Sequence, residues 1–543
     1  MEVHVNPIKK WGVLVTLSLA LFIIILDSTI LNVSMAYVVK DLNTDLKTIQ
    51  WATTLYSLIV AALTITGGRL GDLFGRKKMF VIGAVIFALG SFMVSISNSA
   101  TMLITSMALI EGTGAALMMP ATASLLVSTF KGRERAIAFG VWGGIAGAAA
   151  AFGPIVGGLI TTNYTWHWAF RINVIVTLVL IAGAFLIKEV KDKYHKPQLD
   201  IVGVILSAVG MATLVYGIIE SSTFGWLQAK MPYEIFGNSY DLLGLSITPY
   251  AIIFGLIIIG LFILWERKRE NDGQQPLISM HIFQNKQFVS GSVTTAIMAL
   301  GQAGLIFSIP VFYQAVKGKD ALGTGLSLLP MSLSLLIAAP LSGALSKKVK
   351  PRVLVQIGLV FNIIGSFLLY LGLNVNSDVL QFAPGQILFG IGFGLISAQI
   401  TNITLSAVDI KYAGEASGLN STIRQLGASL GSAIIGAVFL AGFTSSMMNG
   451  INNSSVISAE QKTEYAADVE KNPSKYQYFQ AQMAKNMPEN VASDIVFERN
   501  QATVDAGKSA QVVAIIVSVL ALAVSFSLPN TKNIHKEEVP GME

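Results

Sequence analysis

Fourteen long apolar runs, separated by short polar stretches, make up most of this chain. An α-helix needs about 20 mostly apolar residues to cross the hydrocarbon core of a bilayer, whereas a membrane β-strand needs about ten of alternating polarity. The lengths of the runs and their glycine content favour helices. The first run is too long for a secretory signal and lacks a small-residue cleavage site, so we interpret it as a retained helix. The runs lie at 11–39, 50–68, 79–97, 101–128, 136–161, 169–187, 200–219, 248–265, 288–314, 322–346, 353–373, 379–408, 415–441 and 510–528.

Weak internal repetition predicts how these helices are organised. The stretch GRLGDLFGRKKM at 68–79 follows the second run, and a less regular counterpart, GALSKKVKPRVL at 343–354, follows the tenth. Such repeats are common in transporters that bind their substrate between two structural halves. We therefore predict an all-α membrane protein with two six-helix bundles and two inserted helices. The predicted units are an N-terminal bundle at 1–188, a linker with the inserted helices at 189–285, and a C-terminal bundle at 286–543.

A long polar segment interrupts the C-terminal unit at about 443–509. Loops of this length are commonly functional or disordered. The stretch AEQKTEYAADVEK at 459–471 is compatible with an amphipathic surface helix. We predict instead that the whole segment is a solvated external loop.

The charged residues indicate a membrane protein and predict its orientation across the membrane. Hydrophobic residues make up 53% of the sequence and charged residues 13%, whereas soluble domains carry about 25% charged residues. Lysine and arginine concentrate in alternate short connections. By the positive-inside rule these connections and both termini face the cytoplasm, with the chain spanning the cell membrane. The basic residues are Arg76, Lys77, Lys78, Lys131, Arg133, Arg135, Lys188, Lys191, Lys193, Lys196, Arg267, Lys268, Arg269, Lys347, Lys348, Lys350 and Arg352. Because they are dispersed over many loops, we expect no binding of nucleic acid.

Several chemistries are excluded by the residues that the sequence lacks. The chain has no cysteine, and therefore no disulfide, thiol nucleophile or thiolate metal site. It has no Walker A sequence for ATP, no nucleophile elbow and no His/Cys cluster for a catalytic metal. We therefore expect neither an enzyme nor a bound metal or cofactor.

The most specific motif is GRLGDLFGRKK, between the second and third runs. Gly68 and Gly75 allow a tight turn to pack against neighbouring helix ends, Asp72 can pair with basic residues or cap a helix, and Arg76 and Lys77 anchor the turn inside. The pattern resembles the signature of the major facilitator superfamily. That resemblance implies that these residues form a conformational latch, which holds the two bundles together in one state and releases them in the other.

The fifth run contains a second motif, GGIAGAAAAFGPIVGG at 143–158. Small residues on one helix face allow another helix backbone to approach closely, and proline bends the helix. Gly144, Gly153, Pro154, Gly157 and Gly158 are similar to the motif that marks antiporters within the superfamily.

Further stretches resemble the fourteen-helix drug:proton antiporter branch of that superfamily, which includes exporters of quaternary ammonium compounds. They are LDSTILNV at 26–33, WHWAFRINV at 166–174, GLSLLP at 325–330 and ASGLNSTIRQLGASLGSA at 416–433. The resemblance spans the chain apart from the segment at 443–509 and both tails.

Asp27 is the candidate for proton coupling. It lies about sixteen residues beyond Lys10, which places it near the middle of the membrane at roughly 1.5 Å per residue. An ionisable residue at that depth costs about 2.5–3.5 kcal/mol on insertion scales and is a functional candidate for that reason. Burial favours the neutral form of a carboxyl group, and a nearby lipophilic cation favours the charged form, so proton and substrate would compete. The alternative is a static Asp27 that is hydrogen-bonded to a neighbour such as Asn32.

Three other ionisable residues complete the predicted coupling and substrate group: Glu111, Arg171 and Arg424. Many antiporters of the superfamily carry an arginine in the fourth helix, but Ala108 stands at that position here. We predict that Glu111 takes over a coupling role with Asp27, with Arg171 as an indirect partner; otherwise Glu111 is structural or selects substrate. Arg424 matches a family position, and either neutralises a carboxylate in one conformational state or is structural.

We therefore predict a proton-coupled antiporter that exports lipophilic, often cationic, drugs or toxic compounds, works as a monomer and has small lipophilic substrates, protons and the lipid bilayer as partners. One alternative is the same fold exporting an endogenous lipid or fatty acid, in which an anion would contact Arg171 or Arg424. The antiporter-like fifth run disfavours nutrient uptake. A third alternative is a membrane sensor or partner-binding scaffold that transports nothing.

Overall fold

Helices make up nearly all of the chain that the computed structural model describes, which is residues 7–44, 46–189, 198–230, 233–235, 238–240, 242–346, 348–471, 476 and 488–529. Both chain ends lie outside these ranges, so the predicted cytoplasmic position of the termini stays a prediction. The basic residues Lys191, Lys193, Lys196 and Lys347 also lie outside them.

The first part of the chain forms seven α-helices. They are α1 (Pro7–Asp41), α2 (Leu46–Phe74), α3 (Arg76–Val94), α4 (Ala100–Ile104), α5 (Gly112–Thr129), α6 (Gly132–Asn163) and α7 (His167–Gly183). A π-helical turn, Thr105–Glu111, joins α4 to α5 in one continuous passage. A 3-10 turn, Ala184–Leu186, follows α7.

In the described ranges, the remainder adds eleven α-helices and a short β-hairpin. The elements are α8 (Ile201–Phe224), β1 (Tyr233–Ile235), β2 (Asn238–Tyr240), α9 (Ile247–Asn271), α10 (His281–Gln284), α11 (Lys286–Ala315), α12 (Ala321–Ser327), α13 (Leu329–Leu345), α14 (Pro351–Gly372), α15 (Ala383–Ser406), α16 (Ala413–Asn453), α17 (Ala459–Lys471) and α18 (Glu489–Ser525). Strands β1 and β2 pair antiparallel. The turns Val379–Phe382 and Ile410–Tyr412 are 3-10 helices.

Each of the fourteen predicted runs falls on helix. In the described ranges, eleven helices are long and apolar enough to cross a membrane, and α13 is a shorter apolar helix. The runs at 136–161 and 288–314 fall on α6 and α11, which are 32 and 30 residues long. The prediction of an all-α membrane fold is confirmed.

The helices pack in two groups that meet along two seams. In the first group α1 packs on α6 and α7, and α3 packs on α5 and α7; in the second, α11 packs on α16 and α18, and α14 packs on α15 and α18. Helix α6 meets α13 and α15 at one seam, and α2 meets α16 at the other. The predicted boundaries at 188 and 285 stay a prediction.

Glycines allow the backbones to touch at these seams. A Cβ atom on Gly140 of α6 would lie 3.0 Å from the carbonyl carbon of Ala339 and 3.1 Å from Cα of Pro340 in α13. Gly68 of α2 lies in the same way against the backbone of Gly414 in α16. Dispersion contacts and close approach hold membrane helices together where the surrounding lipid is as apolar as the side chains.

The inserted helices α8 and α9 pack on each other, and α8 also contacts both α2 and α16 at their seam. Trp265 of α9 donates a hydrogen bond of 2.9 Å to Asp200, whose side chain also caps the first turn of α8. On the other side of α8, the ring of Tyr216 stacks on Trp51 of α2 with ring centres 6.2 Å apart. Helix α8 therefore packs both on α9 and on α2 of the first group.

The prediction of a solvated loop at 443–509 is wrong for the described residues of that segment. Helix α16 continues to Asn453 and α18 starts at Glu489, so both extend beyond the apolar runs, and α17 forms where the amphipathic stretch was recognised. Phe443, Met447 and Val469 are buried in one apolar cluster between them. Apolar residues at helical spacing maintain this packing although charged residues surround them.

We predict that Gly140→Ala lowers the thermal stability of the purified protein, because the added methyl group meets backbone atoms that cannot move aside. Overpacking of this kind costs about 1–3 kcal/mol. The measurement is the unfolding midpoint in detergent.

Gly260→Ala in α9 is the matched control, because no atom lies within 4 Å of the position that its Cβ would take. This change should leave the midpoint unchanged or raise it, since alanine favours helix over glycine by up to about 1 kcal/mol. Equal midpoints for the two variants would contradict the close approach of α6 and α13.

Candidate functional site

A cluster of buried polar side chains lies inside the first group of helices; we call it the acid cluster and define it as Asp27, Tyr56, Ser91, Glu111 and Asn173. Asp27 of α1 is only 1% exposed, and its Oδ1 accepts a hydrogen bond of 2.6 Å from Nδ2 of Asn173 in α7. A buried carboxyl group is costly unless it is neutral or hydrogen-bonded. The predicted alternative partner, Asn32, has its side chain outside the described part of the structure.

Glu111 is placed by irregular local structure. It is the last residue of the π-helical turn and is fully buried, and the Ser91 hydroxyl of α3 donates a hydrogen bond to its Oε1. A Cβ atom on Gly90 would lie 2.7 Å from Cβ of Glu111, so glycine allows α3 to approach this turn. Single π-helical turns inside α-helices are frequent at functional sites because they displace one side chain from the regular register.

Asp27 and Glu111 act on each other electrostatically, and both act on the hydroxyl of Tyr56 in α2. In the described part of the chain, four buried oxygens of the cluster have no hydrogen-bond partner: Oδ2 of Asp27, Oε2 of Glu111, Oδ1 of Asn173 and the Tyr56 hydroxyl. Two carboxyl groups that share one apolar site do not readily ionise together. The arrangement is therefore suited to holding and releasing a proton.

A cavity of about 310 Å³ adjoins this cluster. It lies between α2, the π-helical turn, α8 and α16, and Tyr56 belongs both to its wall and to the acid cluster. The wall is rich in hydroxyl and amide groups. Its residues are Thr53, Thr54, Tyr56, Ser57, Met107, Ile219, Gln425, Ala428, Ser429 and Ser432. Pockets of roughly 300–1,000 Å³ accept small organic molecules.

The far end of α2 is joined to α16 by charged residues that we call the α2–α16 junction: Arg69, Asp72, Arg76 and Glu415. Asp72 accepts hydrogen bonds from the backbone N–H groups of Gly414 at 3.1 Å and Glu415 at 2.9 Å, at the start of α16. It also accepts a bond of 2.9 Å from Nε of Arg76. A carboxylate at a helix N-terminus is favoured by the free N–H groups and by the helix dipole.

Two further contacts strengthen the junction. Arg69 forms an ion pair with Glu415, and the other oxygen of Glu415 accepts a hydrogen bond of 2.9 Å from the backbone N–H of Ser279. Arg76 donates to the carbonyl oxygen of Ile410. Paired and hydrogen-bonded charges of this kind are costly to separate, because each partner is left buried and alone.

The other predicted motif residues occupy tight positions. Gly75 has φ of +112°, a conformation that favours glycine, and the backbone N–H of Lys77 donates a bond of 3.1 Å to Glu189. Along α6, Gly144 lies against Ala339 of α13 and Gly153 against Thr29 of α1.

At the end of that motif, Gly158 lies against Leu322 of α12 and Gly157 is buried. Pro154 lies within α6, but its side chain is outside the described set. The glycines of α6 thus face both groups of helices.

Among the described residues, neither of the two predicted arginines forms a hydrogen bond or an ion pair with the acid cluster. Arg171 is exposed, and its guanidinium lies 5.0 Å from the ring centre of Trp168. The structure therefore does not bring Arg171 to Glu111. Arg424 of α16 is half-buried, and among the described residues its hydrogen bond goes to Sδ of Met119 at 3.9 Å.

Several residues of the site were not predicted from the sequence. Tyr56, Ser91 and Asn173 are uncharged, so they do not stand out in apolar runs as Asp27 does. Glu415 is the first residue of the run at 415–441 and can be mistaken for an end of that run. An uncharged polar residue inside an apolar run is the feature that would have indicated Tyr56 and Asn173.

Known proteins resemble this chain in sequence and in overall fold. The tetracenomycin C resistance and export protein of Streptomyces glaucescens is 29% identical over 431 residues, which cover 79% of this chain and 76% of that protein. The multidrug efflux pump LfrA of Mycolicibacterium smegmatis is 29% identical over 445 residues, covering 81% and 83%. The solved structure of the proton:xylose symporter XylE superposes with a TM-score of 0.54 at 13% identity, covering 96% of this chain and 95% of that one, which shows the fold alone.

The family model of the major facilitator superfamily matches residues 17–432, about three quarters of the sequence. The match covers α1 to the middle of α16, including the acid cluster, the cavity and the α2–α16 junction. The chain therefore belongs to the major facilitator superfamily and is a multi-pass membrane transporter.

Proposed function

We propose that this transporter is a proton-coupled antiporter that exports lipophilic, often cationic, compounds across the cell membrane. The observation that carries the proposal is a pair of buried carboxyl groups, Asp27 and Glu111, in a cluster that shares Tyr56 with the wall of a cavity of about 310 Å³. Two of the relatives, an export protein for tetracenomycin C and a multidrug efflux pump, support the direction and the substrate class.

Coupling follows from competition between the proton and the substrate. A cation in the cavity stabilises the charged form of the nearby carboxyl pair, and a proton on the pair removes that attraction. Each elementary charge that moves down a potential of 100 mV releases about 2.3 kcal/mol, which is enough for more than a tenfold substrate gradient. The carboxyl groups of Asp27 and Glu111 therefore need to alternate between a protonated and a charged form during the transport cycle.

The α2–α16 junction is the proposed latch. Arg69, Asp72, Arg76 and Glu415 join the helix groups at one end, whereas the cavity separates α2 from α16 farther along the same two helices. If the basic connections face the cytoplasm, the structure is closed towards the cytoplasm. Breaking the junction would then open the passage for substrate capture, with both bundles working in a single chain.

A second candidate cargo is an endogenous lipid or fatty acid. It is favoured by Arg424, which is half-buried beside the cavity residue Gln425 and pairs with no carboxylate among the described residues. A carboxylate on the substrate would satisfy that charge. Arg171 is exposed and has no part in either proposal.

We predict that Asp27→Asn and Glu111→Gln each abolish transport driven by a pH difference, because an amide cannot exchange a proton. Uptake of ethidium into proteoliposomes with an imposed pH gradient should fall at least about 100-fold in each variant, the lower end of the range of about 10²–10⁴ that a positioned proton-transfer group contributes. Ethidium affinity should change less, since neither residue is among the described lining residues of the cavity.

Asp378→Asn is the control for loss of a carboxyl group at an exposed position. It should transport ethidium like the native protein. Full transport by either of the two buried variants against a pH difference would contradict the proposed coupling.

We also predict that Asp72→Asn opens the junction. Because the chain has no cysteine, Ser417→Cys provides a single reporter on α16; Ser417 is buried and donates a hydrogen bond of 3.0 Å to the carbonyl oxygen of Pro120 in α5. Loss of the charged acceptor, at about 1.5–3 kcal/mol for a hydrogen bond to a charged group, should raise the maleimide labelling rate of this cysteine at least fivefold.

Lys10→Gln in the same reporter background is the control, because the ion pair of Lys10 with Glu134 lies within one helix group. Its labelling rate should equal that of the reporter alone. An unchanged rate in the Asp72→Asn background would exclude the junction as a latch.

A further inference from the structure

Tyr56 is the one described residue that belongs both to the cavity wall and to the acid cluster. Its ring is in the wall, between Thr53 and Ser57 of the same α2 face, and it packs against the passage that carries Glu111. A Cβ atom on Gly112 would lie 3.4 Å from Cδ2 of Tyr56, so glycine at 112 admits the ring. The position of Tyr56 is thus fixed by packing on both sides.

The hydroxyl group of Tyr56 is one of the buried polar groups of the acid cluster. It is buried without a hydrogen-bond partner among the described residues, and the charges that act on it are those of Asp27 and Glu111. The ionisable residues beside the cavity on the other helices are Glu220, next to Ile219 in α8, and Arg424, next to Gln425 in α16. A buried hydroxyl without a partner, in the same cluster as two carboxyl oxygens without partners, is an unusual arrangement, because buried polar groups are nearly always paired.

This inference rests on the proposed function: we propose that Tyr56 relays the proton between the acid cluster and the cavity, and so makes proton release depend on an occupied cavity. In the release step the carboxyl group gives its proton to the Tyr56 oxygen while the Tyr56 hydroxyl gives its own proton to a water molecule in the cavity. The products are a carboxylate, an unchanged tyrosine and a hydronium ion, so atoms and charge balance. Buried polar groups without protein partners are commonly bridged by ordered water, which can complete the chain.

Substrate controls the relay through the ring. A lipophilic cation in the cavity can contact the face of Tyr56, since aromatic rings attract cations at their faces. Such a contact orients the ring and brings the hydroxyl towards the carboxyl pair. The same bound cation favours the charged form of the pair, so the relay forms when the proton is to be released. Tyr56 thereby acts as the element that senses substrate, whereas Asp27 and Glu111 carry the proton.

The test is Tyr56→Phe, which keeps the ring and removes the hydroxyl. Ethidium is mixed with the full-length protein in weakly buffered detergent solution containing a pH indicator, and binding and proton release are followed in a stopped-flow instrument. We expect ethidium affinity to remain within threefold of the native value and the rate of proton release to fall roughly 100-fold, as for loss of a positioned proton-transfer group. Tyr250→Phe, which removes an exposed hydroxyl from α9, should behave like the native protein.

The outcomes separate this inference from the proposed function. Native protein that binds ethidium without releasing protons, or that does not bind it, contradicts the proposed function and the relay together. Native-like release by Tyr56→Phe contradicts the relay alone. Loss of ethidium affinity in Tyr56→Phe also overturns it, because the hydroxyl would then be a substrate contact.

Discussion

Two carboxyl groups buried in one apolar interior are the constraint on which this structure depends. Asp27 and Glu111 lie on different helices, and neither has a cationic partner among its described hydrogen bonds, which come from Asn173 and Ser91. Charged carboxylates at such a place would be far more costly than neutral ones. The π-helical turn and Gly90 give Glu111 its position in spite of this cost. The energetic preference of such a site for protonated carboxyl groups supports the proposed proton coupling.

Helices α2 and α16 carry both the cavity and the contacts of the α2–α16 junction. Helix α2 bears Tyr56 and, sixteen residues later, Asp72, which corresponds to roughly 24 Å along an α-helix. Helix α16 bears Glu415 at its start and the cavity residues Gln425 to Ser432 farther on. A tilt of α2 against α16 therefore changes the cavity and the junction together. Rigid helices that link two sites in this way are how rocking-bundle transporters expose a central site alternately.

The sequence was sufficient for the fold because hydrophobic length is a strong constraint in a membrane, and every predicted run falls on helix. It also indicated Asp27 and Glu111, since a charge in an apolar run is conspicuous. It did not indicate Tyr56 or Asn173, because an uncharged polar residue becomes significant only when folding brings it to a carboxyl group. The extensions of α16 and α18 were missed for a related reason: Phe443 and Met447 are buried by α17 and α18, which polarity along one helix does not reveal. Arg171 is the opposite case: it is a charged residue within an apolar run, but its guanidinium packs on Trp168 at the surface and takes no part in the acid cluster.

The most direct test of proton-for-substrate exchange uses no imposed pH difference. Proteoliposomes are loaded with ethidium and the pH indicator pyranine and then diluted into ethidium-free buffer of equal pH. The account predicts that outward movement of ethidium drives protons inward, so that the lumen acidifies, and that a proton ionophore removes the signal. Ethidium efflux through the protein with no change in lumenal pH would contradict it.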